Sequence, residues 1–214
     1  DPPIGGVAIS VTSGVVSRVE VTQYAHGATE LLSLQIDAAI NSGNSGGPAF
    51  NSKGMVCGVA FQSLKHDDAE NIGYVIPTPV ITHFVRDYEL NKRYTGFPAL
   101  GCDFQKLENA DLKRSKKVPE GESGVLLRKL EPISNSAKSG LKTGDVLQNF
   151  DGVAVASDGT VPFRAGERIS FSHLVSKKFV GENAEIEILR DGKPMKFSVP
   201  MENKKRLVPV HMEG

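Results

Sequence analysis

The chain has 214 residues, 39% of them hydrophobic, and a formal net charge of zero at pH 7. The balanced charge gives no electrostatic reason to expect nucleic acid or an acidic membrane surface as a partner. No apolar run approaches the roughly 20 residues that span a bilayer. The length allows one or two domains, and 22 glycines with 12 prolines suit many short strands and turns.

The two cysteines, Cys57 and Cys102, are widely separated in the sequence. We expect them in different domains, where they would form neither a disulfide framework nor a metal site. The sequence therefore predicts two buried free thiols and no metal.

The first part of the chain predicts short β-strands followed by a helix. Alternating apolar residues between Val7 and Val21 are typical of a hairpin that turns at Thr12-Ser13-Gly14. Further strands are predicted over residues 32–36, 55–61 and 74–76. Thr78-Pro79 then has the pattern of a helix start, a capping hydroxyl before a proline.

The apolar residues of this helix predict which side it buries. They recur at helical spacing and form one stripe: Val80, Ile81, Phe84, Val85 and Tyr88. His83 lies away from that stripe and is predicted to be a surface residue. Residues 91–97 are interpreted as a linker, which divides the chain into residues 1–92, residues 93–201 and a tail over 202–214.

Residues 93–201 predict short strands with two helices. Ser134 to Ser139 is predicted to be a brief helix that ends at Gly140, and residues 170–179 a longer one. The dipeptide Asp191-Gly192 predicts a closing hairpin. The basic cluster over residues 113–117 is interpreted as a solvated loop.

The most informative stretch is Gly43-Asn44-Ser45-Gly46-Gly47-Pro48. A serine hydroxyl is a poor nucleophile unless a base takes its proton and N–H groups face the oxyanion that forms. The glycines beside Ser45 permit the tight turn that gathers N–H groups in one small space. We expect Ser45 to be the nucleophile and the N–H groups of Gly43 and Ser45 to form the oxyanion hole, with Asn44 helping to hold the loop. The alternative is an ordinary turn serine.

On these residues the chain resembles the HtrA/Deg family of ATP-independent serine proteases. Residues 36–48 are similar to the active-site segment of that family, and residues 71–77 to the strand that closes its substrate pocket. Residues 124–152 resemble the PDZ domain that follows the protease, and residues 158–164 look most like the plant-type Deg branch. The resemblance implies a mainly β chain, with the second β-barrel of a trypsin-like protease followed by an α+β PDZ domain.

The resemblance also implies a triad histidine and aspartate that come from an N-terminal barrel. Some forty residues precede Ser45, about the length of a few strands rather than of a barrel. None of the five histidines lies where the base of the family would be: His26, His66, His83, His173 and His211. Asp37 is interpreted as structural. We therefore expect a truncated serine endopeptidase that is inactive alone.

Two binding sites follow from the same resemblance. Ile40 would line the specificity pocket with Tyr74 and Val75 opposite, and an apolar wall there would favour cleavage after small or medium aliphatic residues. The alternative is that these three side chains fill a core. The PDZ groove would take a peptide as an added strand and hold its carboxylate with backbone N–H groups. The groove residues are expected to be Leu100, Gly101, Cys102, Phe104, Phe171 and Val175.

The family likeness further implies the activity and partners of the intact protein. It would cleave unfolded or damaged proteins without a cofactor, bind C-terminal or extended peptides at the PDZ domain, and form a homo-oligomer built on trimers. Arg164, Glu167 and Arg168 are a candidate contact with another subunit. The compartment would be the nucleus or an organelle, chloroplast or mitochondrion. The alternative is a catalytically silent, protease-like module that binds peptides.

Overall fold

The computed structural model describes residues 10–23, 30–41, 43–61 and 72–204. The described chain divides into two compact units, the first of residues 10–23 and 31–86 and the second of residue 30 with residues 87–204. Strands dominate both units, so the prediction of a mainly β chain is confirmed. Within the described part of the chain, no helix has both the length and the apolarity to cross a membrane.

The first unit is built on one sheet of five strands. They are β1 (Val16–Gln23), β2 (Glu30–Ile36), β3 (Pro48–Phe50), β4 (Val56–Phe61) and β5 (Gly73–Pro77). Their order in the sheet is β1-β2-β5-β4-β3, so β5 is central and pairs antiparallel with β2 and β4. The strands predicted over residues 32–36, 55–61 and 74–76 are confirmed, whereas the three-residue β3 was not foreseen.

The predicted N-terminal hairpin is found only in part. Its second strand is β1, which neighbours β2 in the sheet. Residues 10–15 have no regular secondary structure, and Val11 is 81% exposed. The rest of the predicted first strand lies outside the described residues.

Two glycines of the central strands allow neighbouring backbone to approach closely. A Cβ atom added to Gly58 of β4 would lie 2.3 Å from the carbonyl oxygen of Ile76. A Cβ atom on Gly73 of β5 would lie 2.6 Å from the carbonyl oxygen of Ala38. Since real Cβ atoms are not found at such distances, the sheet depends on glycine at both positions.

The helix after β5, α1 (Thr78–Asn91), has the predicted start, but of the predicted stripe only Val80 and Ile81 are half-buried. Phe84 and Val85 are each 45% exposed and Tyr88 is 56% exposed, so the prediction of a buried apolar stripe is wrong for these residues. His83 and Asp87, one turn apart on the same side of the helix, are buried. The prediction that His83 is a surface residue is therefore also wrong.

The second unit contains a larger sheet and three short helices. In chain order it comprises β6 (Cys102–Lys106), α2 (Ala110–Ser115), β7 (Val125–Leu130), α3 (Asn135–Lys138), β8 (Val146–Phe150), β9 (Val153–Ala154), β10 (Thr160–Arg164), β11 (Glu167–Ser170), α4 (Ser172–Lys177), β12 (Asn183–Arg190) and β13 (Lys193–Pro200). The main sheet has the order β13-β12-β8-β7-β6, with β9 paired to β8. Its interior is apolar, with Val125, Leu127, Phe150 and Ile186 fully buried.

Local signals in this unit predicted two features correctly. Helix α3 is capped by the Ser134 side chain and followed by Gly140 with φ +103°. Strands β12 and β13 form the closing hairpin around Asp191 and Gly192, whose φ values of 52° and 78° suit a type I′ turn.

Three features of this unit differ from the prediction. Residues 110–115 form helix α2, capped by the Asn109 side chain, rather than a loop. The stretch between residues 156 and 170 contains a hairpin, β10 with β11. Since Ser170 pairs with Thr160 in that hairpin, helix α4 begins at Ser172 and is shorter than predicted.

Candidate active site and peptide groove

Ser45 lies on an exposed turn over residues 43–46, between β2 and β3. Gly46 has φ +88°, a conformation that favours glycine. Two backbone hydrogen bonds fix the turn to β4: the N–H of Gly46 donates to the oxygen of Ala60 at 2.7 Å, and the N–H of Ala60 to the oxygen of Gly47 at 2.9 Å. The turn that carries Ser45 is thus attached to the sheet.

The two N–H groups expected to form the oxyanion hole both donate to one residue, Asn41. The N–H of Gly43 donates to Asn41 Oδ1 at 2.9 Å, and the N–H of Ser45 donates to the Asn41 carbonyl oxygen at 2.9 Å. In this structure the loop therefore satisfies these donors internally. That role for Gly43 and Ser45 stays a prediction.

Asn44 holds the loop through its side chain, as its position suggested. Its Oδ1 accepts from the N–H of Asn41 at 2.9 Å. Its Nδ2 donates to the carbonyl oxygen of Ala39 at 3.3 Å and to Thr12 Oγ1 at 3.4 Å. The Asn41 side chain therefore bonds forward to Gly43, and the Asn44 side chain bonds back to Asn41.

The three residues predicted to line the specificity pocket are all buried: Ile40, Tyr74 and Val75. The Gly73 position faces Ile40, since a Cβ atom there would lie 2.7 Å from Ile40 Cγ1. Because alternate residues of a strand share a face, Val75 lies on the same face as Gly73, and Tyr74 lies on the other. Tyr74 packs there against Phe61, at 5.7 Å between ring centroids. Burial raises the pKa of its hydroxyl.

The candidate acid and base residues are distributed over both units or lie outside the described residues. His83 is buried in the first unit and His173 lies in the second. His26, His66 and His211 fall outside the described residues. Asp37 is exposed at the end of β2, and its N–H donates to the oxygen of Val15.

The predicted groove residues of the second unit lie in two places. One group is in β6 or just before it, and the other is in helix α4 or just before it. Strand β6 is the last strand of its sheet, so its outer edge carries N–H and C=O groups suited to an added strand. Phe104 contacts Phe171 at 4.8 Å between ring centroids. Phe171 and Val175 are buried, and the Phe171 N–H donates to the oxygen of Gly159.

The loop before β6 is held by the end of the domain. The Ala99 N–H donates to the oxygen of Glu202, Leu100 is buried, and Gly101 takes φ +63°. Burial, reinforced by Asp103 and Glu131, raises the pKa of the Cys102 thiol to about 12. The folded domain therefore favours the protonated thiol over the thiolate.

Both cysteines are free thiols in the structure. Cys57 and Cys102 lie in different units, as free thiols that are half-buried rather than fully buried. Among the described residues, no cluster of three or more histidine, cysteine, aspartate or glutamate side chains could hold a metal ion.

Sequence reasoning missed the contribution of Asn41. The residue was seen only as part of the segment that precedes the glycines. A signal was nevertheless present, because asparagine readily bonds backbone groups two residues ahead in turns. The Asn41–Gly43 spacing fits that pattern.

Two family models match the chain. Residues 2–59 match the trypsin-like peptidase domain, and residues 98–201 match the PDZ domain. The first match contains the Ser45 turn and the second contains the candidate groove.

The chain is similar over nearly its whole length to named plant proteases. The chain is 56% identical over 212 residues to Protease Do-like 2, chloroplastic, of Arabidopsis thaliana, covering 99% of this chain and 35% of that protein. It is 46% identical over 209 residues to Protease Do-like 4, mitochondrial, of the same plant, covering 98% and 40%. The chain thus spans 35% and 40% of the length of these two relatives.

Solved structures have the same architecture. The structure described as HtrA-type protease AlgW with decapeptide superposes with a TM-score of 0.65 at 26% identity, covering 94% of this chain and 58% of that one. With the two domain matches and the plant relatives, this shows that the chain belongs to the HtrA/Deg family of serine proteases.

Proposed function

We propose that this chain is part of an ATP-independent serine endopeptidase that cleaves unfolded or damaged proteins through Ser45. The observation that carries the proposal is the exposed Ser45 on a glycine-bounded turn fixed to β4 by two backbone hydrogen bonds. Ser45 would attack the peptide carbonyl and form an acyl-enzyme. The reaction needs no cofactor.

The catalytic base and its orienting carboxylate are proposed to come from a part of the whole protein beyond this sequence. The chain spans 35% of its chloroplastic relative, which leaves ample length for them elsewhere. The isolated chain is accordingly proposed to be inactive. Gly43 and Ser45 would supply the oxyanion donors once the loop releases their N–H groups from Asn41.

A specificity pocket is proposed with Ile40 and Val75 as its apolar wall. Val75 shares a face of β5 with Gly73, and the Gly73 position faces Ile40. Tyr74 lies on the other face and would support the wall from behind. Such a wall favours small or medium aliphatic side chains.

The second unit is proposed to bind C-terminal or extended peptides along β6. The outer edge of β6 and the Phe104–Phe171 contact support a groove between this strand and helix α4. We propose the domain boundary at residue 92, because α1 ends at Asn91 and Lys92 takes φ +55°, whereas the compact units divide within α1, after Arg86. Residues 202–214 would form the tail.

The assembly and compartment are proposed from the family and the named relatives. The intact protein would form trimers or larger assemblies of the same chain, with Arg164, Glu167 and Arg168 on the β10–β11 hairpin as a candidate contact. An organelle is proposed as its location, because the relatives named above are described as chloroplastic and mitochondrial. No nucleic acid partner is proposed.

The test uses a fluorophosphonate probe on the full-length protein. The wild type is expected to be labelled and to cleave unfolded casein, whereas Ser45→Ala is expected to lose both. Ser52→Ala, which removes a serine from an exposed turn of the same unit, is the matched control and should behave like the wild type. Labelling and cleavage that survive in Ser45→Ala would overturn the assignment of the nucleophile.

One observation favours a second candidate function, a catalytically silent module that binds peptides. The N–H groups of Gly43 and Ser45 are both bonded within the loop, which suits a protein that stabilises no oxyanion. The same experiment separates the two functions. A silent module would show neither labelling nor cleavage in the wild type, yet would still bind peptides.

A further inference from the structure

Asn41 engages both N–H groups that acyl transfer would need. Its side-chain oxygen accepts from Gly43, and its main-chain oxygen accepts from Ser45. An N–H group that already donates within the loop cannot stabilise an oxyanion without first losing that bond. The Asn41 side chain therefore occupies the Gly43 donor, while the Asn41 main chain occupies the Ser45 donor.

The bond to the Asn41 side chain can be released at little cost. Asn41 is exposed, so its carboxamide can rotate into water and exchange one neutral hydrogen bond for another. The rest of the turn keeps its support meanwhile, since the Asn41 N–H still donates to Asn44 Oδ1. Gly46 and Gly47 also keep their backbone bonds to Ala60 of β4.

We propose that Asn41 is a positioning residue that acts as a latch, its carboxamide holding the Gly43 N–H until a substrate carbonyl displaces it. The inference rests on the proposed function and adds to it a residue that regulates the same site. The wild-type enzyme would then be slower than the turn permits, because each turnover must break the Asn41–Gly43 bond.

Two substitutions at this position separate a latch from a structural role. Asn41→Ala removes the acceptor and keeps the main-chain bonds. Asn41→Asp keeps the shape and gives the Gly43 N–H a charged acceptor, which makes a stronger bond. A latch predicts opposite effects of the two changes, whereas a structural contact predicts that both reduce activity.

The experiment measures peptide cleavage by the full-length protein and its variants. In Asn41→Ala we expect kcat to rise about three- to ten-fold with little change in KM, the range expected for one neutral hydrogen bond. In Asn41→Asp we expect kcat to fall by a similar factor. A peptide boronate, which places an oxyanion in the hole, should bind tighter to Asn41→Ala and weaker to Asn41→Asp.

A second measurement does not depend on activity. Amide hydrogen exchange at Gly43, followed by NMR, should be faster in Asn41→Ala and slower in Asn41→Asp than in the wild type. Unchanged exchange at Gly43, or a fall of kcat in Asn41→Ala with an unchanged melting temperature, would overturn the latch.

The outcomes also separate the latch from the proposed function. Cleavage that requires Ser45 but is insensitive to Asn41 would sink the latch alone. Cleavage that survives in Ser45→Ala would overturn both the proposed function and the latch. Both would also be overturned if neither the wild type nor the Asn41→Ala protein cleaves the peptide.

Discussion

His173 on helix α4 is a titratable residue in a partly apolar setting. Its ring meets Phe163 of β10 edge-on, at 5.4 Å between centroids. Among the described residues its Nδ1 atom has no hydrogen-bond partner. Burial, together with the nearby Lys177 ammonium, lowers the pKa of His173. The folded domain therefore favours the neutral imidazole.

This lowered pKa predicts a stability loss in mild acid. Below about pH 6.5, the ordinary pKa of histidine, His173 takes up a proton in the unfolded chain. In the folded domain it stays neutral to a lower pH, because its pKa is lowered. The unfolded state then binds more protons, and the free energy of unfolding falls as the pH drops through this window. Urea unfolding of the second unit at pH 7.5 and pH 5 measures the effect.

The control for that prediction is His173→Gln, which does not titrate. Between pH 7.5 and pH 5 it should lose less stability than the wild type, because the other titrating groups are unchanged. An equal loss in both proteins would show that His173 contributes nothing to the acid sensitivity.

Residue-scale burial was the hardest property to predict from the sequence, and α1 shows why. Hydrophobic spacing placed Phe84 inside and His83 outside, but the buried side carries His83 and Asp87. Asp87 is satisfied there by the N–H and hydroxyl of Thr95, at 2.6 and 2.5 Å, and by Asn91 at 2.9 Å. A helix face can bury a carboxylate when such donors exist, and helical periodicity carries no information about donors that follow the helix.

At the scale of elements, the charged pair of Arg190 and Asp145 joins the end of β12 to the turn before β8. The two side chains form parallel bonds of 2.7 and 2.8 Å, and Arg190 also donates to the oxygen of Gly140 at 2.7 Å. Asp145 is 1% exposed. Because the Asp145 carboxylate is buried, the stability of the folded unit depends on hydrogen-bond donors at both carboxylate oxygens.

Arg190→Lys is therefore expected to destabilise the second unit by about 2 kcal/mol, although the charge is kept. A single ammonium cannot reproduce two parallel bonds and a third to a carbonyl. Urea unfolding at pH 7.5 measures the loss.

Arg164→Lys is the matched control for that substitution. It alters a pair in which two N–H groups of Arg164 donate to one oxygen of Glu167, and both side chains are more than half exposed. Exposed pairs contribute little, so a change below about 0.5 kcal/mol is expected. Equal effects of the two substitutions would contradict the importance of burial.

Elements with a local cause were predictable, and those with a distant cause were not. The Asp191-Gly192 turn and the end of α3 at Gly140 depend on residues next to each other, and both were predicted. The β10–β11 hairpin carries a register shift between Pro162 and Arg164, which no alternating pattern signals. In the candidate site, the exposed turn at Ser45 follows from its glycines. The bonds of Asn41 depend on how the turn closes, so the sequence alone did not reveal them.

At the scale of the whole molecule, the division into two compact units predicts that damage to one unit leaves the other intact. Gly58 in β4 offers a test in the first unit, since an added Cβ atom would lie 2.3 Å from the Ile76 oxygen and 2.4 Å from Val75 Cγ1. Overpacking of this kind typically costs about 1–3 kcal/mol. Gly58→Ala should therefore lower the melting temperature of the first unit.

The double variant Gly58→Ala with Arg190→Lys tests whether the two units unfold independently. Its two substitutions lie in different units, and distant sites without shared partners have additive effects. Calorimetry should resolve one transition lowered as in Gly58→Ala and another lowered as in Arg190→Lys. A single substitution that shifts both transitions equally would show that the units unfold as one. The same conclusion would follow if the loss of unfolding free energy in the double variant departs from the sum of the two single losses by more than about 0.5 kcal/mol. In that case the PDZ domain could not be destabilised without also disturbing the turn that carries Ser45.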